Sequence, residues 1–293
     1  MSHLGDSHLG SISIFLQSDK ATESISDSHK IFLLNEIIET EPHLNLLIGL
    51  TSFEMPYSFY NINQYNYTFE ISANSNTVNF NIKSQNYTAE QLATELTSQL
   101  AIASRVALLG QTISCSFDDQ EKKFLFTSDT TTIQYTITSN TTMNKELGLI
   151  LPKSSVLLVG LLASDNIVNL SGTPSIYFRI NNLGIRNRDS RGKSDGTIQK
   201  INVDCNFGEF IFYDSIESIY YPLTNRTITE LDITLTDSNN NELILNGAEF
   251  SCTLTIHFQK IRENIIPRRF LLDMLKMELE QDKSENVELK NKK

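Results

Sequence analysis

The sequence predicts a mainly β protein, and three observations carry that reading. Apolar residues recur at every second position, the spacing that sends alternate side chains to opposite faces of a sheet. The clearest run is Phe250, Cys252, Leu254, Ile256 and Phe258, interleaved with Ser251, Thr253, Thr255 and His257, so one face packs on a core and the other meets water. Tyr67/Phe69/Ile71, Val78/Phe80/Ile82, Ile133/Tyr135/Ile137, Ile176/Phe178/Ile180 and Leu231/Ile233/Leu235 repeat the pattern. Turn formers separate the last of these runs: the stretch from Asp237 to Asn241, and Asn246-Gly247, a pair that tolerates the positive φ values of a tight hairpin. Helical spacing is confined to two segments.

Taken in order, residues 1–29 read as a polar N-terminal arm with a short tandem repeat, Ser2 to Gly5 and Ser7 to Gly10, and no core-building pattern. Residues 30–65 are β-rich. Residues 66–153 run strand, strand, helix, strand, strand, strand, which is an α+β unit inserted into a β domain that resumes over 154–260. The helix of that unit spans Ala89 to about Ser104. Leu92, Leu96, Leu100 and Ala103 form its apolar stripe, and Thr88 stands three residues before Gln91 as in a capping box. Residues 261–293 hold a second helix from Pro267 to Asp282, with Leu271, Met274, Leu275 and Leu279 on one stripe and Pro267 in the first turn, where proline is accepted. Outside the insertion, eight strand-like runs remain: 30–38, 45–55, 154–170, 174–181, 197–206, 208–214, 227–236 and 250–259.

The chain has 293 residues, 24 of them Lys or Arg and 35 Asp or Glu, for a net charge of −11. Residues 260–293 hold nine basic and seven acidic residues, so the remaining body carries −13. Coating of nucleic acid by the whole surface is therefore excluded, because phosphate neutralisation needs clustered positive charge. The longest unbroken apolar run, Val156 to Ala163, is far too short to cross a bilayer, so no membrane span is expected. The first residues lack the basic and apolar regions of a secretory signal.

No catalytic motif appears: there is no GxSxG elbow, phosphate loop, HExxH or CxxC pair. Cys115, Cys205 and Cys252 each fall on the apolar side of a strand pattern and read as small buried hydrophobes. The histidines, His3, His8, His29, His43 and His257, have no persuasive partner in sequence. Asp237, Asn239 and Asn241 begin a calcium-loop pattern, but Glu242 stands where the loop needs Gly, so a polar turn is the better reading. The expectation is a protein that is not an enzyme and has no cofactor and no metal.

One positive feature stands out. Arg179, Arg186, Arg188, Arg191, Lys193 and Lys200 cluster in and around a glycine-containing loop from Asn181 to Gly196. This loop either meets an acidic partner or a phosphate backbone, or is a solvated loop balanced by Asp189 and Asp195.

Three stretches resemble the penton, or minor capsid, proteins of virophages, polinton-like viruses and some large eukaryotic DNA viruses. Asn45 to Ile62 (NLLIGLTSFEMPYSFYNI) is similar to an early strand and its exit. Asn86 to Leu92 (NYTAEQL), with Asn144 to Leu149 (NKELGL), is similar to the helix and closing element of their inserted unit. Asn225 to Asp237 (NRTITELDITLTD) is similar to their last strands. The resemblance covers most of residues 30–260. It implies a single jelly-roll β-sandwich that assembles as a homopentamer at the icosahedral vertices of a double-stranded DNA virus and contacts the major capsid protein. Its location is then the virion, assembled in the host cytoplasm or nucleus. The chain is too short for the two consecutive jelly rolls of the major capsid protein.

On this reading the candidate interface residues are Arg186, Arg188, Arg191 and Lys193 in the loop, with a local contact to packaged DNA open to them, and Tyr57, Phe59 and Tyr60 at the strand exit. For the aromatic three, burial in the subunit's own core is the competing reading. A receptor- or glycan-binding fibre-head β-sandwich is the alternative function, and it expects a trimer.

Overall fold

Residues 8–106, 111–185, 196–215 and 219–260 are described in a computed structural model of the chain. The first strands are β1 (His8–Gln17), β2 (Glu23–Ser24), β3 (His29–Glu39) and β4 (Leu44–Pro56). Then come β5 (Thr68–Ala73), β6 (Asn76–Asn81), the helix α1 (Ala89–Val106), β7 (Ile113–Asp118), β8 (Lys123–Ser128), β9 (Tyr135–Ile137), β10 (Lys153–Ser154) and β11 (Leu161–Ala163). The last group is β12 (Ser175–Ile180), β13 (Thr197–Asn202), β14 (Phe210–Asp214), β15 (Tyr221–Pro222), β16 (Thr227–Thr236) and β17 (Ser251–Lys260).

Two antiparallel sheets form a β-sandwich. One has the order β1-β17-β4-β14, with β15 also on β4; the other has the order β13-β12-β16-β3-β2. Their apolar faces meet because each strand alternates: Cys252, Leu254 and Ile256 on β17 face Ile233 and Leu235 on β16 across one shared core. Phe53 sits at its centre, 2% exposed, with its ring 5.9 Å from Phe178 edge-on and 6.0 Å from Phe250. Leaving out the two-residue strands, the eight long strands taken in chain order lie as 1-8-3-6 in one sheet and 2-7-4-5 in the other.

The chain leaves the sandwich after β4 and returns at β12, and what lies between has its own core. That second core runs from Ile62 to Leu162 and packs α1 on the sheets β10-β9-β5-β6 and β11-β8-β7. Leu92, Leu96 and Leu100, one helical turn apart, are fully buried. The predicted capping box is formed: the Thr88 N–H donates to Gln91 Oε1 at 3.0 Å and the Gln91 N–H to Thr88 Oγ1 at 3.3 Å. The Thr97 hydroxyl bonds both the carbonyl and the N–H of Cys115, fastening the helix to β7. Buried Asn61 ties the unit to the sandwich. Its amide donates to the carbonyls of Tyr87 and Leu170 and accepts from the Tyr87 N–H.

Two expectations need correcting. Residues 8–17, read as part of a polar arm, form an edge strand that pairs with β17 from His8 opposite Gln259 to Gln17 opposite Ser251. Leu16 is buried and Ile14 packs against the core, while Ile12 on the same face stays 39% exposed, so the alternation is weak and hidden among serines. Residues 154–170, read as a sandwich strand, instead belong to the second unit, where β11 pairs with β8. An apolar run without alternation has no wet face, so it does not specify a half-exposed strand. Cys205 lies past the end of β13 and is half-buried, whereas Cys115 and Cys252 are buried. The predicted helix over 267–282 lies outside the described residues.

Candidate interaction surface

Of the residues singled out in the sequence, Tyr57 and Phe59 are core residues. The Tyr57 N–H donates to the Glu209 carbonyl at 2.7 Å and its own carbonyl accepts from Gly208, which extends the sheet by one residue and points the ring inward. The Tyr57 ring lies 4.6 Å from that of Phe59, tilted by 42°, and burial raises its phenol above the usual tyrosine range. Both are therefore unavailable to a neighbour, a correction to their reading as interface. Tyr60 is half-buried, with its ring 5.8 Å from that of Phe207. Arg186, Arg188, Arg191 and Lys193 lie outside the described residues. The flanks of their stretch are described: Asn182 bonds Asn225 and Glu230, at the end of the sandwich away from Asn61 and the second unit.

An exposed aromatic group lies elsewhere on the first sheet. β14 has only β4 beside it among the described residues, and it carries Phe210 and Phe212 on its outer face, 54% and 66% exposed. Their rings stack at 5.8 Å. Phe207, just before the strand, is also exposed and continues this aromatic edge toward Tyr60. At the opposite edge of the same sheet, β1 exposes Phe15 at 79%. Between the two edges the outer face is polar, with the Ser52 hydroxyl donating to Thr253 and the Ser251 hydroxyl to Glu54, both at 2.8 Å. Aromatic side chains are enriched at protein–protein interfaces relative to the rest of a protein surface.

Period-two reasoning missed this edge for a definite reason. Phe210, Ile211, Phe212 and Tyr213 are all apolar, so alternation cannot say which pair faces water. The signal that remained was the strand's place in the sheet, which only the fold supplies.

The titratable groups point to packing. Burial pushes the Cys252 thiol up to about 12 and also raises that of Cys115, so both stay neutral and unreactive. Half-buried His29 does have partners, both more than 200 residues away: Nε2 is 2.8 Å from Asp232 Oδ1, and Nδ1 is 3.5 Å from Glu242 Oε1. Ser26 donates to Glu242 and Asn181 to Asp232, so the cluster ties the loop before β3 to β16 and the turn after it. The Asp237 carboxylate accepts the N–H groups of Asn239 and Asn241, serving the polar turn read from the sequence.

No protein-family model and no curated protein matches the chain. Among solved structures, the chain is similar to the mavirus penton protein, with 13% identity, 86% of this chain and 99% of that chain covered, and a TM-score of 0.46.

Proposed function

We propose that this chain is a non-catalytic capsid subunit, a jelly-roll protein that closes into pentamers at icosahedral vertices and abuts the major capsid protein of a virion. The observation that carries the reading is the strand order. Eight strands laid down as 1-8-3-6 against 2-7-4-5 are what two interlocked Greek keys produce, and that winding is the jelly roll of viral capsid domains. The similarity of residues 45–62, 86–92, 144–149 and 225–237 to penton proteins supports the same assignment.

A closed ring of identical subunits needs two different surfaces on one chain, each complementary to the other. The edges of the first sheet supply such a pair: the Phe207, Phe210 and Phe212 rim on one side, joined by Tyr60, and Phe15 on the other. Insertion and basic stretch leave from opposite ends of the sandwich, so in this ring the second unit projects from one side. Arg186, Arg188, Arg191 and Lys193 then meet an acidic partner or packaged DNA on the other.

The test is the mass of the full chain in solution by light scattering. A species five times the 33.2 kDa of one chain is expected. Phe210→Ser with Phe212→Ser is expected to shift it to monomer without changing the far-ultraviolet circular dichroism. A trimer would favour a fibre-head module instead. A pentamer unaffected by the double substitution would move the interface away from β14.

A further inference from the structure

The apolar run that is too short to span a bilayer is the most exposed apolar segment of the second unit. Val156, Leu157, Leu158 and Val159 are each between 53% and 72% exposed, although four consecutive apolar side chains are normally buried. They form a tight turn closed by the Val156–Leu161 bridge. Leu158 holds a φ of +67°, a left-handed conformation that favours Gly or Asn, so a bulky apolar side chain is kept there against backbone preference.

The turn sits at the far end of the second unit. β5 begins near Asn66, beside the Asn61 tie to the sandwich, and ends at Ala73, which pairs with Tyr135. Ser155, whose N–H donates to the Tyr135 carbonyl, is the last residue before the turn. The tip therefore points away from the sandwich.

Its surroundings select the partner. Four of the five N–H groups from Val156 to Gly160, all but that of Leu157, donate within the protein: Val156 to Leu161, Leu158 to Thr131, and Val159 and Gly160 both to Val156, at 2.8 to 3.2 Å. A strand partner needs free backbone groups, whereas hydrocarbon requires that they be satisfied internally. No charged residue lies between Lys153 and Asp165, and those two pair with each other. Asp129 lies next to Ser128, whose N–H bonds the Gly160 carbonyl, and its carboxylate accepts from the Thr112 N–H and the Thr130 hydroxyl. Four side chains fall well short of the roughly 800 Å² per partner of a stable protein interface. Interfacial anchors enter a bilayer by only about 5–10 Å, and a small apolar tip is enough for that.

We propose that the Val156–Val159 turn is a lipid-insertion tip that enters the interface of an electrically neutral bilayer. The proposal stands apart from the capsid assignment and does not need it. Insertion is apolar, and the net charge of −11 opposes approach to anionic lipid. Binding to neutral lipid is therefore expected to be insensitive to salt, and anionic lipid is expected to weaken it.

The experiment is flotation of the full chain with phosphatidylcholine vesicles, and with vesicles of phosphatidylcholine and phosphatidylserine in equal parts. The chain is expected to float with the first and less with the second. Leu157→Ser with Leu158→Asn is expected to lower partitioning at least about tenfold. Asn suits the left-handed position, so the unfolding temperature should hold. The chain has no Trp, so Leu157→Trp places a lone reporter at the tip. Its emission is expected to shift to the blue and become shielded from iodide only when vesicles are added. A chain that stays with the buffer, a doubly substituted chain that floats equally well, or tighter salt-sensitive binding to the anionic vesicles would each overturn the proposal. A blue shift with protein concentration alone would overturn it in favour of a second copy.

Discussion

The sandwich and the second unit close in opposite ways. In the sandwich, strands pair across the whole chain: β1 with β17, and β3 with β16. In the second unit most pairing is between neighbours, as in the hairpins β5–β6 and β7–β8, and the helix is fixed locally by its capping box and by Thr97. Long-range pairing must bear the entropy of loop closure before its contacts form, so the sandwich depends on both ends of the chain, whereas the unit within it does not. The most direct way to break this comparison is to delete residues 1–17. That removes the nine β1 residues paired with β17 and leaves the β17 edge open next to Leu254 and Ile256. Amide exchange is expected to lose protection throughout the sandwich while α1, β5 and β8 keep theirs. Loss in both units together would show that they unfold as one.

A point substitution makes the same comparison more finely. Phe53→Ala takes a ring out of contact with Phe178 and Phe250 at the middle of the first core, a cluster that among the described residues is built from the sandwich alone. A destabilisation of about 3–5 kcal/mol is expected, seen as a lower midpoint for the sandwich transition in calorimetry. The second unit's transition should stay where it was.

The contrast also explains what the sequence could show. Strands with one wet face were legible, as in Phe250 to Phe258, and so was α1, whose stripe and cap are local. Illegible parts were those decided by distant partners. β1 was hidden because Ile12, Ile14 and Leu16 mean little until β17 lies beside them. The 154–170 segment was assigned to the wrong core because an apolar run says that something is buried, not against what; in the fold half of it is not buried at all. The candidate surface followed the same rule. Tyr57 and Phe59 carried an aromatic signal but were turned inward by backbone bonds to Gly208 and Glu209, while Phe210 and Phe212 gave no signal because exposure there depends on β14 being an edge. The His29 cluster joins residues more than 200 positions apart, beyond the reach of any spacing rule.

The smallest expected effect lies at the junction between the units, and it separates them by pH. Glu146 belongs to the base of the second unit. Its Oε1 accepts from Asn66 at 2.7 Å, while Oε2 is buried with no partner. Burial raises its carboxyl above the ordinary glutamate value of 4.5, and the Asn66 bond opposes this only in part. A carboxyl whose folded value is raised binds its proton more tightly in the native state. Its contribution to stability is therefore full below the unfolded value and is lost as pH rises through the folded one. Raising the pH from below 4.5 toward neutrality is expected to lower the second unit's midpoint relative to that of Glu146→Gln, which cannot ionise. The two should converge again in acid. The sandwich midpoint should show no difference between the two proteins at any pH. If it followed the second unit's, Asn61 and Asn66 would be transmitting the charge across the junction, and the two cores would have to be treated as one cooperative body.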